Sequence, residues 1–253
     1  GKISAGTVVV GRNDGAGADS GNVTINATNM GALGNTSGNL TVLSGNDITV
    51  SSAITKTAGT DAKLTLTAKN GVDINAAIGS TSNKLNVDVT ANGLGGSSKG
   101  ITLSSSTINA NSGIVNLTAY NGSSGHGITF SGTSGVNAGT YTIKGTSALG
   151  NGLYFTSSNS SFTSSVGNSL LEGTTNTSSW YGVFVYAGNT VNLTTSGTAT
   201  TSLTTSTTSQ NGIRIGYASA ATFNTSGDVT IGSKNNSNAN LFIQASTINA
   251  TGS

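Results

Sequence analysis

The feature that most constrains this chain is a short unit that returns along nearly its whole length: a small residue, often Gly, followed by an alternating apolar triplet. The clearest copies are Gly100-Ile101-Thr102-Leu103, Gly127-Ile128-Thr129-Phe130, Gly152-Leu153-Tyr154-Phe155, Gly182-Val183-Phe184-Val185 and Gly212-Ile213-Arg214-Ile215. Looser relatives begin at Asn22, Asn39, Lys63 and Lys84, and Asn240-Leu241-Phe242-Ile243 closes the series. Further strand-like runs lie between them, among them Asp47-Ile48-Thr49-Val50, Ile114-Val115-Asn116-Leu117 and Asp228-Val229-Thr230-Ile231. A unit this short cannot bury its own apolar face, so successive units must stack, coil on coil. The pattern predicts an all-β chain wound as a parallel β-helix, a single solenoid domain over residues 1–253. At roughly 22 residues per coil it would make about eleven coils. A β-sandwich also has short strands with frequent turns, but the Gly-led repetition favours the solenoid.

Composition agrees with this reading. Gly, Ser, Thr and Asn make up 146 of 253 residues, a bias that often signals disorder, yet the apolar residues alternate with a regularity that a disordered chain does not need. These residue types are weak helix formers, and no apolar set recurs at helical spacing. There is no Pro, which suits a chain hydrogen-bonded along almost every strand. No apolar run approaches the roughly 18 residues of a membrane helix. Ten basic and eight acidic residues leave a net charge of +2, which gives no footprint for nucleic acid or an anionic membrane. Cys is absent, so neither disulfides nor thiol chemistry are available. The start of the chain shows no leader pattern and reads as an excised or processed segment.

Alternation assigns faces. Ile128, Phe130, Leu153, Phe155, Val183, Val185, Ile213 and Ile215 are expected inside. Residues 1–119 contain no aromatic side chain, whereas 120–227 hold twelve of the thirteen and, from Gly100 to Gly227, only Lys144, Glu172 and Arg214 carry charge. Residues 228–253 form a last coil. The markers at Gly152, Gly182 and Gly212 stand thirty residues apart. The extra length is expected to leave the rod as loops, in part of Ser157–Trp180 and in Thr194–Asn211, and to make 120–227 the binding region.

The chain offers little to catalysis. The single His126 sits between glycines, without a carboxylate near it in sequence, and reads as a loop residue. Acids are too sparse for the clustered carboxylates of polysaccharide-cleaving solenoids, and no metal-ligand spacing is found. Neither catalytic residues, metal nor cofactor are expected. The sharper signal is an outward column: in-register stacking places Thr102, Thr129, Tyr154, Phe184, Arg214 and Phe242 on successive coils. Tyr186 shares the face of Phe184, and Trp180 and Tyr181 immediately precede that strand. Sugar rings present an apolar C–H face to aromatic rings, and their hydroxyls call for neutral donors and acceptors, which Ser, Thr and Asn supply. Arg214 adds a cationic fork for a carboxylate, should the glycan be acidic. The candidate glycan site is therefore Tyr154, Trp180, Tyr181, Phe184, Tyr186 and Arg214. Two plainer possibilities are that the aromatics only reinforce neighbouring strands and that Arg214 pairs with Glu172. Twelve Asn-x-Ser/Thr triplets occur, from Asn22 to Asn249, close to the roughly nine expected by chance, so they permit glycosylation without indicating it.

Residues Gly38 to Val50, Gly-Asn-Leu-Thr-Val-Leu-Ser-Gly-Asn-Asp-Ile-Thr-Val, with Ala62 to Gly71 after them, resemble the large exported adhesins of Gram-negative bacteria. They are most similar to the high-molecular-weight adhesins of the Haemophilus type and filamentous haemagglutinin. The resemblance implies a right-handed parallel β-helix, secretion to the bacterial surface through an outer-membrane partner barrel, and attachment to host-cell glycans, often sialylated. It also implies that Asn-x-Ser/Thr sites can carry sugars. The secretion domain of such proteins has Asn-Pro motifs, which this Pro-free chain lacks, so it reads as an internal binding segment. The expectation is a non-enzymatic adhesin segment without membrane insertion. Its alternatives are a structural or self-associating rod that mediates bacterial aggregation and, third, a glycan-active enzyme.

Overall fold

A computed structural model of the chain describes residues 6–12, 21–26, 28–30, 38–92, 99–206, 211–217, 219–233, 241–244 and 246–251. Two of the Asn-x-Ser/Thr sites, Asn35 and Asn235, together with Asn240 and residues 207–210, lie outside the described residues. The strands fall into successive rungs. They are β1 (Thr7–Gly11), β2 (Val23–Ile25) and β3 (Thr28–Asn29); β4 (Asn39–Ser44), β5 (Ile48–Val50) and β6 (Ile54–Lys56); β7 (Ala62–Ala68), β8 (Val72–Ile74) and β9 (Ile78–Ser80). Next come β10 (Leu85–Ala91), β11 (Ile101–Ser104) and β12 (Thr107–Asn109); β13 (Ile114–Asn121) and β14 (Ile128–Ala138); β15 (Thr140–Ser147) and β16 (Leu153–Ser164). The last are β17 (Ser169–Thr175), β18 (Val183–Val185) and β19 (Thr190–Thr195); β20 (Thr200–Thr205), β21 (Ile213–Ile215) and β22 (Thr222–Ser226); β23 (Asp228–Ser233), β24 (Leu241–Ile243) and β25 (Thr247–Thr251).

Each rung pairs in parallel with the next. The first strand of every rung joins one nine-stranded sheet, from β1 to β23. The others build a second and a third face, which β14 and β16 join by running through both. The protein is thus a parallel β-solenoid, not a sandwich. Between β4 and β23 it makes about seven turns, where eleven coils were expected. The repeat is longer than 22 residues: Leu40 pairs Leu64, Val87 pairs Val115, and Leu171 pairs Leu203, separations of 24, 28 and 32, and on the second face the spacing grows from 25 between Ile128 and Leu153 to 30 between Leu153 and Val183.

That growth does not go mainly into loops. Residues 157–164 are the second half of β16, most of 169–180 is β17 and its turn, and 200–205 is β20. These stretches stay in the ladders because some of their inward positions are hydroxyls satisfied inside the rod. Ser134 and Ser160 are buried with their Oγ atoms 3.2 Å apart, and buried Thr201 Oγ1 lies 3.1 Å from the hydroxyl of buried Tyr141. Burial pushes the Tyr141 phenol well above its usual range.

The expected inward set, from Ile128 to Ile215, is fully buried. Aliphatic residues fill the early rungs. Later, Phe130 stacks on Phe155 at 4.9 Å and meets Phe162 edge-on at 5.1 Å. The marker glycines lie where two faces meet: a Cβ on Gly152 would strike the Thr174 amide, and one on Gly127 the Thr146 amide. The bend in β14 falls at Gly132, whose φ of 61° accompanies the register shift between Ser131 and Gly132.

Candidate binding site

On the second face the register runs Thr102, Thr129, Tyr154, Phe184, Arg214, Phe242, one residue per rung, as the column expected. Side chains along such a column are a strand spacing apart, so the rings meet. Tyr154 and Phe184 stack at 5.7 Å. Phe184 also touches Tyr181, Tyr186 and Tyr217 at 5.5, 5.8 and 6.3 Å. It was expected at the surface but is only 7% exposed. Rings from the turns on both sides close over it, making it the floor of the site instead of a contact surface.

The open surface is provided by Trp180, Tyr186 and Tyr217, at 39%, 40% and 49% exposure. All six expected residues, Tyr154, Trp180, Tyr181, Phe184, Tyr186 and Arg214, line one concavity of about 410 Å³ together with Ser179 and Tyr217. Tyr217 was not foreseen. Gly216, at φ 82°, turns the chain just after β21 and lays Tyr217 beside Tyr186, centroids 6.3 Å apart. A Gly directly between a marker triplet and an aromatic is the signal that would have found it.

Arg214 is fixed on three sides. Its Nε donates to Gly216 O at 3.2 Å, one Nη to the Tyr181 hydroxyl at 2.6 Å, and the other Nη to Gln244 Oε1 at 2.6 Å. The guanidinium carbon lies 4.7 Å from the Tyr217 ring centroid and 5.3 Å from that of Tyr181. Each Nη thereby keeps one N–H beyond these bonds. The pairing with Glu172 does not form: Glu172 belongs to the first face and meets Lys144 at 3.5 Å.

His126, expected as a loop residue apart from the site, packs against it. Its ring lies 4.2 Å from Tyr154 and 5.9 Å from Trp180, and burial pulls its pKa down to about 4. It stands in the corner column one residue before the marker glycine, a position outside the outward triplets. Among the described residues, no three His, Cys, Asp or Glu side chains come together as metal ligands would.

No family model matches this chain, and no match to it is found among the curated proteins or the solved structures.

Proposed function

We propose that this chain is the glycan-binding segment of a bacterial surface adhesin, non-enzymatic, with a right-handed winding and export through an outer-membrane partner. The observation that carries the reading is the convergence of four tyrosine rings, one tryptophan ring, a phenylalanine floor and a half-engaged guanidinium in one concavity with almost no charge around it. The exposed rings suit the C–H faces of sugars, and the two remaining Arg214 N–H groups suit a hydroxyl pair or the carboxylate of a sialylated host glycan. Purified protein is expected to be retained on a glycan array. Arg214→Ala and Tyr186→Ala should each weaken retention about tenfold or more while far-UV CD stays unchanged. Loss of retention after sialidase treatment would make the glycan acidic. Unchanged retention in both variants would move the site elsewhere.

A self-associating rod is the second reading, in which the parallel ladders meet those of a further copy of the chain. Concentration-dependent association without any glycan retention would select it.

A further inference from the structure

Three corners before the marker strands repeat one device: a side chain of one rung accepts the backbone N–H of the residue stacked on it in the next. Asn70 Oδ1 accepts from Lys99 at 3.2 Å, and Asn151 Oδ1 from Tyr181 at 2.9 Å. On the rung between them the acceptor is Nδ1 of His126, which takes the N–H of Asn151 at 3.0 Å. An imidazole fills this role only while Nδ1 is bare, so the proton of the neutral ring sits on Nε2. The same ring lies against Tyr154 and edge-on to Trp180. Asn151 is fully buried and its Nδ2 has no hydrogen-bond partner, so its amide is oriented by the bond to Tyr181. Tyr181 in turn receives Arg214 through its hydroxyl.

We propose that His126 is a positioning residue of the aromatic pocket, acting through Asn151 to hold the Trp180–Tyr181 rim and releasing that rim when the imidazole is protonated. The inference rests on the reading of this pocket as the binding site. Protonation turns Nδ1 into a donor facing the Asn151 N–H donor, and the rung bond is lost. Among the described residues, the titratable and charged groups around the ring are Tyr154 on β16, Tyr181 before β18, Arg214 on β21 against Tyr181, and Lys99. Lys99 precedes β11, one rung back, and is tied to Asp47 at 3.1 Å and Asp73 at 3.9 Å. Lys99 is turned back toward its two aspartates, so among the described residues the charged group that lines the pocket is Arg214, and burial keeps the imidazole neutral down to about pH 4.

Trp180 is the only tryptophan in the chain, so its emission reports on the rim without any ligand. In the folded protein it is expected to titrate as a single proton with a midpoint of about 4, because an imidazolium beside an indole quenches it. His126→Asn supplies an amide acceptor like Asn70, so it should fold and lose the titration. His126→Phe and Asn151→Ala should raise acrylamide quenching of Trp180 about twofold as the rim loosens. The proposal is overturned if the wild type shows no such titration, if it persists in His126→Asn, or if both other variants leave acrylamide access unchanged. Should those two fail to fold, the comparison of wild type with His126→Asn decides. No step uses a glycan, so a failure of sugar binding and a failure of positioning are read separately.

Discussion

An imidazole kept neutral at the corner of a rod makes stability depend on pH, and the sign follows from where the proton goes first. The folded pKa of His126 is about 4, below the roughly 6.5 of an unfolded histidine. As pH falls through 6.5 the unfolded chain takes up a proton that the folded chain refuses, so folding weakens from there down to about 4 and then levels off. With allowance for the ring's partial exposure, the loss is about 1–2 kcal/mol. Urea midpoints at pH 7 and pH 4 should therefore fall further apart for the wild type than for His126→Asn. An equal drop in the two proteins would assign the acid sensitivity to other groups. Arg214 differs in kind. Its charge is spread over hydrogen bonds and tyrosine faces at the surface, so its removal belongs to recognition, with little effect on folding.

The corner glycines act at the scale of the element. Gly127 and Gly152 have no room for a Cβ: on Gly152 it would meet the Thr174 amide and Gly173, and on Gly127 the Gly145–Thr146 peptide. The recurring small residue thus marks the point where the second face crosses closest to the first. Gly152→Ala is expected to cost about 1–3 kcal/mol by overpacking, whereas Gly232→Ala, with nothing within 4 Å of its Cβ position, should be close to neutral. Urea denaturation of the two variants compares them directly. The marker strands were legible because Ile128, Phe130, Leu153 and Phe155 alternate with polar residues, and their register gave the Tyr154–Phe184–Arg214 column. The third face was not. In Ser157–Ser164 the only apolar residue is Phe162, and Ser160 and Ser164 are buried with their hydroxyls against those of Ser134 and Ser169, so an inward strand is written in loop-like residues. Reading that stretch as loop, and taking a shorter repeat, gave too many coils. The site was legible as a column and illegible in depth, because Phe184 is covered by turn residues that strand periodicity does not place.

Across the whole molecule, each rung contacts chiefly the rungs before and after it, so stability is close to a sum of nearest-neighbour terms along one axis. The inward column on the second face allows a direct test, since it repeats the same chemistry in two settings. Ile213 and Ile215 are fully buried between β18 and β24, whereas their partners Leu241 and Ile243 on β24 are 42% and 47% exposed. On the third face, buried Phe223 is likewise followed by Ile248 at 38%. Truncating a side chain held from both sides loses its transfer energy and leaves a cavity, for a cost of about 2–5 kcal/mol for Ile215→Ala. Ile243→Ala removes the same atoms from a site already facing solvent, where little cavity forms, and should cost less than about 1 kcal/mol. Hydrogen exchange should show the same order, with the amides of β24 and β25 opening before those of β18 and β21. Equal costs for the two isoleucines would mean that the last rung is covered in solution. In the same protein sample, that result would have to coincide with concentration-dependent association, since one further layer of chain on β24 is what would bring Ile243 to the burial of Ile215.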